Sequence, residues 1–147
     1  MDDFTLRRAL AEDAAEIKRL VRAARINPMD LDWRRFLVAS GPGESLAACG
    51  QVKPHSDGTF ELASIAVQPE LRGIGLARLV IERLLAESPR PLYLTCRSGL
   101  EEFYRKFGFR VLPSEELTPY FRRIQKLAGV LMGAVHEAET LLVMKLD

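Results

Sequence analysis

The sequence predicts an α/β domain, and three observations carry that reading. Residues 59–87, TFELASIAVQPELRGIGLARLVIERLLAE, run from a β-branched and apolar strand through a short glycine-bearing turn into a helix. A strand and an amphipathic helix open the chain. Between these two units, short apolar runs separated by turn residues predict an antiparallel meander. With 147 residues, 48% hydrophobic and 28% charged, the chain has the size of a single domain, 1–147. Such a domain buries about 70% of its unfolded surface and needs no staples.

Taken in order, Phe4 to Arg8 alternate as an edge strand does. Glu12-Asp13 then open a helix whose apolar stripe is Ala14, Ile17, Leu20, Val21 and Ala24, with an end expected near Asn27-Pro28 because the residue before proline leaves helical space. Residues 27–35, NPMDLDWRR, combine a helix stop with two aspartates, the only tryptophan and two arginines. Asp30 or Asp32 can cap a short helix there. Trp33 has two readings, a packing anchor or a wall of an acceptor pocket. Residues 36–39 and 46–52 read as a hairpin around Ser40-Gly41-Pro42-Gly43-Glu44, and a second turn at residues 54–58 leads into the central strand.

After the central strand and its helix, residues 91–96 form a short buried strand, a helix follows near residues 99–106, and Phe109-Arg110-Val111 begin another strand. Residues 114–138 then intervene before a final strand at residues 140–146. In that insertion Tyr120, Ile124, Leu127, Leu131 and Ala134 share one helical face, widened by Phe121, Ala128 and Met132. The face is too wide for a solvated helix. Contact with a second subunit, making a homodimer, is the favoured expectation, and a lid over the acceptor is the alternative.

Composition also excludes. A net charge of +1 gives no reason to expect nucleic acid or a membrane as partner. Cys49 and Cys96, the only cysteines, are too few for a disulfide framework or a zinc site, so no metal is expected. No apolar run approaches the roughly 20 residues that cross a bilayer, and the opening Met-Asp-Asp-Phe is no signal peptide. The expected setting is soluble, reducing and cytoplasmic.

The chemistry concentrates at Arg72-Gly73-Ile74-Gly75-Leu76-Ala77. Alternate glycines let backbone amides approach a ligand, and the helix starting there aims unpaired N–H groups and its positive dipole end the same way. This is an anion site, with phosphate as the expected anion. A Walker loop needs Lys and Ser/Thr after the second glycine, where Leu76-Ala77 stand. A dinucleotide fingerprint needs Gly or Ala where Arg78 stands.

The string RGIGLA resembles the acetyl-coenzyme A signature, Arg/Gln-x-x-Gly-x-Gly/Ala, of the GCN5-related N-acetyltransferase (GNAT) superfamily. It follows Ser64-Ile65-Ala66-Val67 and a proline turn, as in that family. A second element, Tyr104-Arg105-Lys106-Phe107-Gly108-Phe109, resembles the superfamily's Tyr-x-x-x-Gly-Phe. The resemblance implies a GNAT fold, a mixed and mostly antiparallel sheet of six to seven strands flanked by helices, here with an extra helical insertion before the last strand. It implies an N-acetyltransferase that moves acetyl from acetyl-CoA to a primary amine in a ternary complex. The expected acceptor is a small molecule; the alternatives are a protein N-terminus or lysine, or a sensor module that binds acetyl-CoA without catalysis.

The same resemblance distributes the roles. Backbone amides of Ile65, Ala66 and Val67 bind the pantetheine arm and polarise the thioester, helped by a strand bulge. Amides of Gly73, Ile74, Gly75, Leu76, Ala77 and Arg78 hold the pyrophosphate, with the charge of Arg72. Tyr104 serves the departing sulfur. Presenting a lysine-like amine neutral at pH 7 costs about 4.6 kcal/mol, so a base is useful, and Glu61, four residues before Ile65, stands where several members carry one. Its other reading is a strand carboxylate or ion-pair partner. His55 and His136 have no motif around them and read as surface or capping residues, and Cys96 reads as an inert buried thiol. Arg97 replaces an asparagine common in the family. Arg34, Arg35 and Arg97 are candidates for holding an acceptor carboxylate.

Overall fold

The computed structural model describes residues 3–132 and 140–147. Its strands are β1 (Thr5–Arg8), β2 (Phe36–Ser40), β3 (Leu46–Pro54), β4 (Phe60–Val67), β5 (Leu92–Arg97), β6 (Arg110–Val111) and β7 (Leu141–Leu146). Its helices are α1 (Ala14–Ala23), α2 (Leu76–Glu87), α3 (Glu101–Arg105) and α4 (Pro119–Met132). The strands form one mixed sheet in the order β1-β2-β3-β4-β5-β7-β6. The chain forms two compact units, Met1–Lys53 with Leu62–Ser88, and Pro54–Glu61 with Pro89–Asp147.

In the first unit β1 pairs antiparallel with β2 from Thr5↔Ser40 to Arg8↔Leu37, and β2 with β3 from Phe36↔Gln51. One sheet face carries α1. Its buried Ile17, Leu20 and Val21 meet Phe36, Val38, Cys49 and Ala66, with Trp33 and Leu31 packed at the margin. A fully buried aliphatic side chain contributes about 1.5–3 kcal/mol, which is what holds a helix of ten residues that would be marginal alone. Trp33 therefore packs against the core. The helix stops at Ala23, earlier than the proline predicts, because Arg25 takes the left-handed conformation at φ 56° and turns the chain out.

The other face carries α2. It lies so close over β3 that a Cβ built on Gly50 would stand 2.9 Å from Val80 Cγ1 and 3.2 Å from Leu84 Cδ1. Because alternate strand residues face opposite ways, Cys49 and Gln51 look towards α1 and Gly50 towards α2.

In the second unit β4 and β5 run parallel, with Glu61 opposite Tyr93, and β7 lies between β5 and β6, antiparallel to both. The insertion covers this part. Its helix α4 buries Phe121 completely, stacked on Tyr93 with ring centroids 5.0 Å apart, beside Leu117, Leu112 and Val143. The buried side of α4 is thus centred on Phe121, and Leu127, on the part of the apolar face expected to meet a second subunit or the acceptor, is 58% exposed. The side chain of Leu131, and Gly133, Ala134 and His136 altogether, lie outside the described residues.

Candidate active site

Strand β4 carries an interruption at Ser64, whose φ of 59° is left-handed inside an otherwise extended run. A left-handed residue within a strand is the conformation of a β-bulge, which bends the strand and increases its twist. Two side chains of β3 hold it there. Cys49 Sγ donates to the Ser64 carbonyl at 3.5 Å, and Gln51 Nε2 donates to Ser64 Oγ at 2.9 Å. Cys49 also receives the backbone N–H of Ala66, while burial pushes its thiol up to about 12. That sulfur is a packing and hydrogen-bonding group with no reactive thiolate. Of the three residues expected to carry the donor's arm, Ala66 is buried and Ile65 and Val67 are partly exposed.

From the end of β4 the chain is tied back by Gln68 N–H to the Ala47 carbonyl, 2.8 Å, and makes a single turn over Pro69–Leu71. Gly73 and Gly75 then take φ of 84° and 93°. Gly75 caps α2 in the left-handed conformation, and the first bond of the helix runs from Leu79 N–H to the Gly75 carbonyl, 3.1 Å. The amides of Leu76, Ala77 and Arg78 precede that bond and have no helical carbonyl to meet. Arg72, Gly73, Ile74 and Gly75 are exposed, Leu76 is the buried anchor, and a Cβ on Gly73 would meet nothing within 4 Å. Arg78 leans away onto Glu82 at 2.6 Å, whereas no ion pair is found for Arg72 among the described residues. The backbone here is bare, and its shape fits an anion.

In the second unit Glu61 is almost fully buried, and its Oε1 lies 2.8 Å from His55 Nε2. The His55 side chain is 8% exposed, where a surface or capping position was expected of it. Tyr120 stacks on its ring at 3.6 Å and Phe121 meets it edge-on. Asp57, two residues on, accepts from Thr59 and from the Tyr120 backbone N–H at 3.2 Å, so the turn caps α4 from across the sequence. Burial raises the Asp57 carboxyl, but these hydrogen bonds outweigh it and hold it at about 2. No bond to Glu61 Oε2 is found among the described residues.

Tyr104 is buried in α3, edge-on to Phe103 and Phe109. Desolvation, then the nearby Cys96, push its phenol far up, so it stays protonated and can only donate or accept as a neutral group. Cys96 is itself pushed up to about 11 by burial and then by Glu101, an unreactive thiol as the strand pattern suggests. Arg34 is bound to Asp32, which also caps its N–H, and Arg35 to Asp30 at 2.5 Å, so neither stands ready for an acceptor carboxylate. Among the described residues no cluster of His, Cys, Asp or Glu could hold a metal, and no helix is long and apolar enough to cross a membrane.

Sequence reasoning did not foresee the hydrogen bonds of His55 to Glu61 and of Gln51 to Ser64. The tight turn between β3 and β4 was the available signal for His55, since it brings residue 55 back to the strand carrying Glu61. For Gln51 the only hint was a polar side chain in an apolar strand.

Strand β4 with its left-handed Ser64, the two left-handed glycines and the open start of α2 follow one another without a break in the chain. The chain belongs to the GNAT acetyltransferases: the family model described as Acetyltransferase (GNAT) domain matches residues 32–111, more than half of its length. No curated protein sequence matches it significantly. Among solved structures, N-acetylglutamate synthase from Neisseria gonorrhoeae, complexed with coenzyme A and N-acetyl-glutamate, superposes with a TM-score of 0.74 at 17% identity over 98% of this chain. The chain spans about a third of that protein's length, 35%. Rv2747 from Mycobacterium tuberculosis, in complex with CoA, gives 0.68 at 19% identity over 95% of this chain and 97% of its own. Escherichia coli ElaA gives 0.67 at 15% identity, with 98% of both chains covered. At these identities the likeness is one of fold.

Proposed function

We propose that this chain is an N-acetyltransferase domain that moves the acetyl group of acetyl-CoA onto a primary amine of a small molecule, by direct attack within a ternary complex. One observation carries the reading: two left-handed glycines, Gly73 and Gly75, expose bare backbone at the start of α2. The pyrophosphate is held by the amides of Gly73, Ile74, Gly75, Leu76, Ala77 and Arg78, with Arg72 adding charge. Backbone groups of Ile65, Ala66 and Val67 take the pantetheine arm, and the bulge at Ser64 re-aims them towards the thioester carbonyl. The coenzyme A found in the gonococcal synthase and in Rv2747 supports this donor.

The amine attacks the carbonyl carbon, the C–S bond breaks, and the sulfur leaves with the electron pair. A neutral Tyr104 donates a hydrogen bond to that sulfur; a thiol is more acidic than a phenol, so full proton transfer is not required. Glu61 takes the proton of the amine on its second oxygen while His55 holds the first. The retention of Tyr104 speaks against a sensor without catalysis.

The N-acetyl-glutamate in the gonococcal complex supports a small acceptor over a protein N-terminus or lysine. A reducing cytoplasm suits two buried free thiols. The exposed Leu127 supports a homodimer through α4, and Leu127→Glu should then halve the mass seen in sedimentation. Release of the CoA thiol across a panel of free amino acids, polyamines and peptide N-termini tests the acceptor class. Turnover confined to the peptides would move the assignment to protein acetylation.

A further inference from the structure

Gln51 is fully buried in β3, and its amide is used at both ends. Oε1 accepts from Arg35 Nε at 3.1 Å; Nε2 donates to the Asp30 carbonyl at 3.1 Å and to Ser64 Oγ at 2.9 Å. A guanidinium can only donate, which fixes the oxygen towards Arg35 and the nitrogen towards Ser64. Arg35 closes the ring by reaching the Asp30 carbonyl at 3.2 Å and its carboxylate. Lys53 Nζ adds a second tie from β3 to the same segment, onto the Met29 carbonyl at 3.3 Å. A buried primary amide with unmet partners is strongly disfavoured, so these groups select one arrangement together.

Ser64 is what that arrangement holds. A non-glycine residue rests in the left-handed region only when its surroundings over-determine it, and without the bulge β4 would return to a regular pleat. A one-residue slip then exchanges the two faces, putting Ile65 and Val67 where Ala66 had been. Cys49 satisfies the Ser64 carbonyl and Gln51 its hydroxyl, so the bulge is gripped from β3 at both polar ends.

We propose that Gln51 is a positioning residue for the acetyl donor: it keeps Ser64 left-handed and joins residues 29–35 to it, so that the backbone after the bulge keeps its direction. The donor role rests on the acetyl-CoA reading above. The hold on Ser64 does not.

Three variants of the full chain test it: Gln51→Leu, Ser64→Gly and the two combined. Affinity for acetyl-CoA, deuterium exchange at the amides of residues 64–67 and the thermal midpoint are measured on each. Gln51→Leu should bind acetyl-CoA roughly tenfold more weakly, the size of one hydrogen bond, and should exchange faster at residues 64–67. Adding Ser64→Gly should bring the affinity back to within about threefold, because glycine adopts this φ unaided. A packing role alone would not be repaired at position 64. If Gln51→Leu fails to fold, Gln51→Glu, which keeps the acceptor for Arg35, should show the same local exchange. Unchanged exchange in a folded variant, or a loss that Ser64→Gly leaves in place, overturns the proposal. Should the wild type itself not bind acetyl-CoA, the function reading falls, and exchange alone decides the role of Gln51.

Discussion

Residues 72–78 and the assembly of His55, Glu61 and Tyr120 are built in opposite ways. In the loop the work is done by main chain: Gly73 and Gly75 set the direction, α2 supplies amides, and the side chains are exposed or point elsewhere. In the assembly side chains do the work: a histidine from a turn, a carboxylate from a strand and an aromatic from an inserted helix close on one another with little solvent between them. A main-chain site depends on local conformation, and its loss should be felt by the ligand. A side-chain assembly depends on distant packing, and its loss should be divided between stability and rate.

The largest effect should come from breaking the loop. Gly75→Val places a β-branched residue at φ 93°, a strain of about 1–3 kcal/mol, and blocks the approach of a phosphate. Acetyl-CoA affinity should fall about 100-fold or more, as calorimetry would show. Gly58 sharpens the comparison, because it has nearly the same φ, 87°, but stands in the turn of the other region. Gly58→Val should lower the thermal midpoint and leave the cofactor affinity near that of the wild type.

Next comes Tyr104→Phe, which should lower turnover by about one to three decades with affinity for acetyl-CoA nearly intact, since a positioned acid contributes about 10²–10⁴-fold. Unchanged turnover and pH profile would leave Tyr104 a packing residue of α3. Glu61→Gln keeps an acceptor for His55 and should therefore fold. Its rate should be depressed at neutral pH and recover as pH rises and the amine loses its proton unaided. A loss that is equal at every pH would make the pair a structural one.

The smallest effect should be Asp57→Ala. A lost cap costs about 1 kcal/mol of stability, readable in urea unfolding. Because the folded carboxyl is held at about 2, below its ordinary value, its contribution is present above about pH 4 and fades as pH falls towards 2. Wild type and variant should converge there.

The same division explains what could be read before the fold was known. The glycine turn at residues 73–75, the helix after it and the short helix carrying Tyr104 were legible because the residues that form them are neighbours in sequence as well as in space. The bulge at Ser64 was foreseeable as a family habit, but its grip by Cys49 and Gln51 was not, since a cysteine and a glutamine in an apolar strand carry no periodic signal. His55 was misjudged because its partners Tyr120 and Phe121 lie more than sixty residues on. Which part of the wide apolar face of α4 turns inward was not legible for a related reason: Leu127 and Phe121 both fit it, and only the stacking of Phe121 on Tyr93 decides which goes inside.

The measurement that bears most directly on the account is thermal unfolding of the purified protein with acetyl-CoA, ATP and NAD in turn. Ligand at about 100 times its dissociation constant adds about 2.7 kcal/mol of stability, so acetyl-CoA should raise the midpoint by several degrees, and Gly75→Val should abolish the rise. A midpoint unmoved by acetyl-CoA but raised by ATP or NAD would contradict the assignment of the loop to coenzyme A, and with it the proposed reaction.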